Sequence, residues 1–261
     1  MKLRLPKSKF IIGAVAAVAL ATVATNANGV GAAWTYTGVT GPSHWKTIDP
    51  TNYAVCADGT AQSPINIVKP VKADLKNLKF SYAKSEAGIF NNGHTVEAEP
   101  LGEIKSSVTI DGTVYNFAQF HFHAPSEHEI NGVHYPVEVH FVNKSDSGLL
   151  AVVGVFIKAG AENEEWKTFT DKINSATSDP EATTVELDWS KLLPKTRTTL
   201  RYDGSLTTPG CTEGVKWNVM TSPITLSQEQ INQFLEAFSG NNRPVQPLNN
   251  RVVKLDSTPK K

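Results

Sequence analysis

Residues 119–123 of this 261-residue chain read Gln-Phe-His-Phe-His, and this alternation of polar and aromatic residues constrains the fold more than any other feature. Side chains on a β-strand point alternately to opposite faces of the sheet. In a strand, Gln119, His121 and His123 therefore share one face, and the two phenylalanines lie on the other. The pattern predicts a strand with one apolar face and one face that carries two imidazoles.

A Glu-Val-His segment further along repeats the arrangement of a polar residue two positions before a histidine. Glu138 and His140 share one face of that strand. If the two strands pair as antiparallel neighbours, His140 converges with the two imidazoles of the first strand. Three neutral imidazoles with one open position hold a catalytic zinc. Gln119 and Glu138 would then bind the outer ring nitrogens and fix the tautomers.

Strand patterns dominate the central part of the chain. The dipeptide Asp111-Gly112 is typical of a type I′ hairpin turn and lies between strands predicted at residues 108–110 and 114–117. Asn131-Gly132 is a second turn signal, and it favours antiparallel pairing of the two histidine strands. Further strands are predicted at residues 117–123, 137–143 and 149–157.

Helix patterns are few. Ser227 begins a capping box, apolar residues follow at helical spacing, and Gly240 is the predicted end. Residues 162–173 form a second, weaker helix pattern. The sequence therefore predicts a mainly β single domain, built on a large, mostly antiparallel sheet with small peripheral helices.

The first 27 residues have the pattern of a cleaved export signal. Four basic residues precede the apolar stretch at 10–23, and small residues follow, with cleavage expected after Ala24 or Ala27. The apolar stretch is shorter than the roughly 20 residues of a bilayer span. An uncleaved anchor is the alternative. We expect residues 28–261 to be exported to the periplasm or the extracellular space, with no stable membrane insertion after cleavage.

Charge and cysteine content narrow the function classes further. The whole chain has 25 basic and 25 acidic residues, and loss of the four basic residues of the signal leaves a net charge of −4. Such a chain lacks the basic footprint of a nucleic-acid-binding protein. Cys56 and Cys211 are the only cysteines. Two cysteines in an exported chain favour a disulfide, with two separate buried thiols as the alternative.

Short motifs spread over nearly the whole mature chain resemble those of the bacterial α-class carbonic anhydrases. The histidine pattern and the Ser-Leu-Thr-Thr-Pro segment are the most specific of them. The motifs are Trp34-x-Tyr36, Gly41-Pro42-x-x-Trp45, Gln62-Ser63-Pro64-Ile65-Asn66-Ile67, Asn92-Gly93-His94, Gln119-x-His121-x-His123, Ser126-Glu127-His128, Glu138-x-His140, Ser205-Leu206-Thr207-Thr208-Pro209, Trp217 and Asn249-Asn250-Arg251.

The resemblance implies a twisted sheet of about ten strands with one zinc at the bottom of a conical cavity. It implies zinc-dependent, reversible hydration of carbon dioxide to bicarbonate and a proton, by attack of zinc-bound hydroxide. His121, His123 and His140 match the zinc ligands, and Gln119, Glu138 and a backbone carbonyl near Asn250 match their outer partners. Thr207 matches the residue that orients the hydroxide and passes its own proton to Glu127, and His94 matches the proton shuttle.

The resemblance also assigns the cavity wall. The residues that match the family's carbon dioxide pocket are Val142, Val152, Leu206, Thr208, Val215 and Trp217. The residues that match the positions ordering its water chain are Tyr36 and Asn92. Glu97 departs from the pattern, because many relatives carry an uncharged amide there. We expect this departure to affect the rate of proton transfer. His128 and His134 are expected to be a structural or surface pair.

Two other functions match parts of this sequence. His121, His123 and Glu127 also fit the first metal motif of the cupins, but the second cupin motif is absent around His140. A non-catalytic relative that serves as a binding module typically lacks one or more ligand histidines, and all three are present here. Bacterial relatives are often dimers, so the resemblance leaves two alternatives for the oligomeric state, a monomer and a homodimer.

Overall fold

The computed structural model describes residues 31–103 and 105–256. The predicted export signal at residues 1–27 lies outside these ranges. None of the helices in the described ranges has the length and apolar character needed to span a membrane. The α-helices are α1 (Trp45–Ile48), α2 (Val55–Asp58), α3 (Glu164–Thr170) and α4 (Gln228–Ala237).

Strands account for most of the regular structure in the described part of the chain. They are β1 (Asn66–Ile67), β2 (Val71–Ala73), β3 (Lys79–Ser81), β4 (Lys84–Asn91), β5 (Val96–Pro100), β6 (Ser107–Ile110), β7 (Thr113–His123), β8 (Glu129–Ile130), β9 (Val137–Lys144), β10 (Leu150–Ala159), β11 (Thr184–Asp188), β12 (Thr199–Ser205), β13 (Glu213–Met220), β14 (Ile224–Leu226) and β15 (Lys254–Asp256).

Among the described residues, thirteen strands form one large sheet. Its main path runs β11-β4-β5-β7-β9-β10-β13-β12-β15-β2, with β14 on β10, β6 on β7 and β3 on β6. Most neighbours are antiparallel, but β10 pairs in parallel with β13 and β14, and β15 pairs in parallel with β2. Strands β1 and β8 form a separate parallel pair. The predicted mainly β architecture with small helices is confirmed.

The two faces of the central strands bury different chemistry, as the alternation in the sequence predicts. On one face, the Phe120 ring lies 4.7 Å from Phe169 of α3, and the Phe122 ring lies 4.9 Å from Phe234 of α4. Each fully buried phenylalanine contributes about 1.5–3 kcal/mol to folding. The helices therefore cover the aromatic face of the sheet, and the histidines lie on the opposite face.

The predicted hairpin turns form where the sequence places them. Asp111 and Gly112 both have positive φ, at 52° and 93°, as a type I′ turn requires. The turn joins β6 to β7, and Ile110 pairs with Thr113. Asn131 and Gly132 also have positive φ. These turns allow the chain to reverse tightly, and β7 and β9 pair antiparallel.

The helix ends differ from the predicted ones. The Ser227 hydroxyl accepts a hydrogen bond from the Gln230 N–H, and the Gln230 side chain accepts one from the Ser227 N–H, so the capping box is confirmed. Helix α4 ends at Ala237, three residues before the predicted end, because Phe238 is already extended. The second helix covers only Glu164–Thr170, and a 3₁₀ turn at Ile173–Ser175 follows it.

A disulfide joins Cys56 to Cys211, across a sequence separation of 155 residues. It ties α2 to the loop that follows β12, and both sulfurs pack in a small cluster with Trp45 and Tyr53. This bridge confirms the prediction from the cysteine count.

We predict that the double variant Cys56→Ser/Cys211→Ser loses about 4 kcal/mol or more of unfolding free energy, because the bridge closes a very long loop in the unfolded chain. Denaturant unfolding measures the loss, and the reduced wild-type protein is the matched comparison. Thiol titration of the denatured, oxidised protein should detect no free thiol. Two reactive thiols would contradict the bridge.

Candidate metal centre

Strand register brings the three predicted histidines together. In the antiparallel pair β7–β9, His121 lies opposite His140 and His123 lies opposite Glu138. The ring nitrogens that His121, His123 and His140 turn toward one another all lie within 4.8 Å. The geometric condition stated from the sequence, antiparallel pairing of the two histidine strands, is therefore met.

The outer nitrogens of the two β7 histidines have hydrogen-bond partners. Nδ1 of His121 lies 2.9 Å from Oε1 of Gln119, as predicted. Nδ1 of His123 lies 2.7 Å from the backbone carbonyl oxygen of Asn241. These contacts make each Nδ1 the donor nitrogen and leave each Nε2 with a free lone pair.

The partner of His123 was predicted near Asn250, and that prediction is wrong. Asn241 lies in the segment after α4, and this segment packs against the end of β7. The side chain of Asn241 also accepts a hydrogen bond from the Ala124 N–H at 2.8 Å. The segment around Asn250 lies elsewhere, and neighbouring Asn249 donates to the carbonyl of Thr60 at 2.7 Å. The sequence carries no motif at Asn241, so only the packing of α4 identifies it.

Glu138 supports the third histidine from a fully buried position. Its Oε1 lies 3.0 Å from Nε2 of His140, and its Oε2 accepts hydrogen bonds from the N–H groups of Glu127 and His128 at 3.0 and 2.8 Å. Burial opposes ionisation of this carboxyl, but the neighbouring imidazoles of His128 and His140 lower its pKa well below the ordinary value. An ionised Glu138 fixes the His140 ring so that Nδ1 faces the cluster.

His128 belongs to the support of the site and not to the surface. It is fully buried, with Nδ1 2.7 Å from Oε1 of Glu138 and Nε2 2.6 Å from the hydroxyl of Tyr202. Glu138, His128 and His140 also form a group that could hold a metal. Because both ring nitrogens of His128 are engaged, we assign it a structural role, as predicted. His134 is partly exposed, and its Nε2 lies 3.2 Å from Oε1 of Glu129.

The donor set fits a zinc ion. Burial lowers the pKa of His121 well below its ordinary value and that of His123 to about 4, so both rings are neutral and able to ligate. Nε2 of His123 is buried and has no hydrogen-bond partner among the described residues. A buried nitrogen lone pair without a partner is costly unless a ligand engages it. Three imidazoles aimed at one point match a tetrahedral zinc with one open position.

Glu127 lies fully buried beside the cluster. Its Oε1 accepts a hydrogen bond from the Arg243 N–H at 2.8 Å, and its Oε2 lies 3.5 Å from Nε2 of His123. Burial raises the pKa of Glu127 to about 7, while His140, the Arg243 N–H and the Thr207 hydroxyl lower it. A dication held by the histidines would lower it further. Thr207, also buried, thus has a carboxyl available to accept its proton.

Arg243 is a buried residue that the sequence reasoning missed. Its guanidinium donates to Oε1 of Gln62 at 2.9 Å and to the carbonyls of Ser63 and Cys56, each at 2.7 Å. Burial lowers its pKa to about 10, so it stays cationic at neutral pH. The same residue that donates its N–H to Glu127 therefore anchors the Gln-Ser-Pro motif and the disulfide-bonded helix.

An apolar wall adjoins the histidines on the same face of the sheet. Val152 of β10 pairs with Val142 of β9 and with Trp217 of β13, and all three are buried. The Trp217 ring lies 4.8 Å from the His140 ring. The same alternation gives Val215 the face of Trp217. The structure thus brings these predicted pocket residues beside the metal centre, while Leu206 and Thr208 flank Thr207 and are half-buried.

His94 lies in the turn between β4 and β5. Its ring stacks on Trp34 with a centroid distance of 3.7 Å and an interplanar angle of 8°. Partial burial lowers the pKa of His94. The Tyr36 ring lies 6.5 Å from the His123 ring, edge to face, and burial raises the pKa of Tyr36 well above its ordinary value. Asn92 hydrogen-bonds to Glu97, whose pKa burial raises to about 7.

Comparison with known proteins places this chain in one family. Residues 40–257 match the family model described as eukaryotic-type carbonic anhydrase. The chain is 42% identical over 225 residues to a carbonic anhydrase of Klebsiella pneumoniae, covering 84% of this chain and 89% of that protein. It is 37% identical over 251 residues to a carbonic anhydrase of Neisseria gonorrhoeae, covering 96% and 98%.

A solved structure gives the same result. The α-carbonic anhydrase of Thermovibrio ammonificans, in complex with the inhibitor sulfanilamide, is similar to this chain with a TM-score of 0.79 and 42% identity. The match covers 86% of this chain and 100% of that chain. These findings exclude the cupin alternative.

We predict that His121→Ala, His123→Ala and His140→Ala each weaken zinc binding by more than about 100-fold. Loss of a residue that only hydrogen-bonds to a ligand weakens metal binding by up to about 100-fold, and each of these variants removes a direct ligand. Metal analysis of the dialysed proteins measures zinc per chain. His134→Ala, which alters a partly exposed histidine, is the matched control and should retain zinc. Full occupancy in any of the first three variants would remove that histidine from the ligand set.

Proposed function

The chain belongs to the eukaryotic-type carbonic anhydrase family, and we propose on that premise that it uses one zinc ion per chain to hydrate carbon dioxide reversibly, with His94 as the proton shuttle. The family makes the chain an enzyme of the lyase class, so the binding-module alternative is set aside. The observation that carries the zinc proposal is the convergence within 4.8 Å of three imidazole nitrogens, two from the buried rings of His123 and His140 and one from half-buried His121.

His121, His123 and His140 would hold the metal, with Gln119, Asn241 and Glu138 orienting their rings. Zinc bound there supplies a Lewis acid that lowers the pKa of a water molecule to about 7, as is established for carbonic anhydrases. Fixed tautomers matter because a rotated ring would present an N–H instead of a lone pair.

Thr207 and Glu127 would orient the attacking oxygen. An ionised carboxylate only accepts hydrogen bonds, so the Thr207 hydroxyl would donate its hydrogen bond to Glu127. The hydroxyl oxygen of Thr207 can then only accept a hydrogen bond from the attacking oxygen. The attacking oxygen then donates its hydrogen bond in one direction, to the Thr207 hydroxyl. That constraint aligns a lone pair of the nucleophile with the substrate carbon.

The apolar wall would hold carbon dioxide. The substrate has no net charge and little polarity, so it gains from contact with apolar side chains that water solvates poorly. Val142, Val152 and Trp217 line the sheet beside His140, which supports this assignment. The remaining proposed pocket residues are Leu206, Thr208 and Val215.

His94 would carry the released proton to solvent. A histidine exchanges protons near neutral pH, and its position in a turn, half-buried on Trp34, gives it access to both cavity and bulk water. Tyr36, whose ring lies 6.5 Å from the His123 ring, and Asn92, in the same turn as His94, would order water along the path. Bicarbonate and carbon dioxide are the proposed small-molecule partners.

Export to the periplasm or the extracellular space is proposed for the mature chain, residues 28–261. The disulfide supports it, because such bonds persist in oxidising compartments. The homodimer stays a proposal that sedimentation analysis would test.

The function is tested first on the purified wild-type protein, by metal analysis and stopped-flow carbon dioxide hydration. For Thr207→Ala we expect zinc to remain while kcat/KM falls about 100-fold, the usual cost of removing one positioned hydrogen-bonding group. Thr207→Ser keeps the hydroxyl and should retain most activity. Near-normal activity of Thr207→Ala would overturn the assigned role.

For His94→Ala we expect kcat to fall about 100-fold, the low end for loss of a general acid–base group, because bulk buffer can substitute. The value of kcat/KM should stay nearly unchanged, since it covers steps before the proton leaves. Imidazole buffer should restore much of kcat. His44→Ala, an exposed histidine outside the site, is the control. Collapse of kcat/KM without rescue would give His94 a role in shaping the site.

A further inference from the structure

Glu97 places a carboxyl on the face of the sheet that carries the three histidines. It lies in β5 between two strands, opposite Phe90 of β4 and opposite His121 of β7. Residues directly opposite each other in a sheet present their side chains to the same face. Glu97 therefore shares the face of the metal centre, next to a proposed zinc ligand and below the turn that carries His94.

The carboxyl of Glu97 engages the turn through Asn92. The Asn92 side-chain N–H₂ donates a hydrogen bond to Oε1 of Glu97. The other end of the same amide, Oδ1, accepts hydrogen bonds from the N–H groups of His94 and Thr95, each at 2.9 Å. One amide group thus connects Glu97 to the backbone of the proposed proton shuttle.

This arrangement fixes which way the Asn92 amide faces. An amide has one accepting and one donating end, and rotation by half a turn would set its N–H₂ against the two backbone N–H groups. The side chain of Asn92 is exposed, so water competes for both ends. An acceptor oxygen on Glu97 holds the N–H₂ end, which keeps the carbonyl oxygen against the turn. A carboxyl offers that oxygen in either protonation state.

Other hydrogen bonds also hold the turn: the Gly93 N–H donates to Oδ1 of Asn91 at 2.8 Å, and the Asn92 N–H donates to the carbonyl of Thr95 at 3.2 Å, but neither of these contacts involves the N–H of His94. Gly93 has a φ of 87°, and a Cβ there would meet no atom within 4 Å, so the turn stands clear of its surroundings at this point. The His94 carbonyl accepts a hydrogen bond from the Asn241 side chain at 3.1 Å. The stack on Trp34 holds the ring only while the backbone of the turn is in place.

We propose that Glu97 is a positioning residue for proton transfer, which holds the His94 turn through the amide of Asn92. This inference deepens the proposed function and depends on it. Glu97 touches neither substrate nor metal in this role. It sets the fraction of molecules in which the imidazole of His94 is placed to accept a proton.

The first test removes the acceptor oxygen. For Glu97→Val, zinc content and kcat/KM should stay at wild-type values while kcat falls about 5-fold, the usual worth of one hydrogen bond. Imidazole buffer should restore kcat. Hydrogen exchange of the His94 and Thr95 amides should quicken, a readout that needs no turnover. Glu99→Val is the matched control, because Glu99 lies two residues along the same strand and face.

The second test exchanges donor and acceptor. Asn92→Asp alone sets two carboxyl groups against each other and should lower kcat. Adding Glu97→Gln restores a donor–acceptor pair of the opposite sense, with the aspartate oxygen still facing the turn, and kcat should recover. Glu97→Gln alone keeps an acceptor oxygen and should retain most of kcat. A residue with only a general structural role would not show this reciprocal rescue.

Distinct outcomes separate failure of this inference from failure of the proposed function. If wild-type protein binds no zinc or does not hydrate carbon dioxide, the proposed function fails. If the wild type is active and Glu97→Val keeps its kcat and its slow amide exchange, the positioning role is overturned. Loss of zinc or collapse of kcat/KM in Glu97→Val would also overturn it, since Glu97 would then support His121 itself.

Discussion

The antiparallel register between β7 and β9 is the constraint on which the rest of the site depends. Because His121 lies opposite His140, a one-residue shift of β7 against β9 would turn His121 and His123 toward the aromatic core, away from His140, and would turn the two phenylalanines of β7 away from that core. Phe120 and Phe122 oppose such a shift, since their burial against α3 and α4 would be lost. The apolar face of the strands therefore secures the position of the chemical face.

Buried polar groups behind the histidines are costly, and the fold compensates for most of them with hydrogen bonds. Glu138 has partners on both oxygens, and the two ring nitrogens of His128 contact Glu138 and Tyr202. Arg243 spreads its charge over three acceptors from the Gln-Ser-Pro segment and the disulfide-bonded helix. Such networks rigidify a site when they are fully satisfied. These hydrogen bonds thereby hold the side chains that surround the three histidines in place.

The mouth of the site is held differently from its base. At the base, the positions are set by strand register and full burial. At the mouth, His94 lies in a turn that Asn92 closes by side-chain hydrogen bonds, and Trp34 supports its ring. In the role proposed for it, His94 exchanges protons with water, and a group in that role cannot be fully buried. Its placement therefore depends on a few hydrogen bonds near the surface, and the positioning role proposed for Glu97 acts on one of them.

The sequence by itself determined the local elements and the chemistry of the site. Alternation fixed the face of each residue on β7 and β9, the turn dipeptides set the hairpins, and the capping box marked the start of α4. Only the tertiary structure decided the partners supplied by distant segments: Asn241 in place of Asn250 for His123, and Arg243 for Glu127. Periodicity reports which way a side chain points from its own backbone. It carries no information about which loop packs against it, because that depends on how the whole chain fills the space around the sheet.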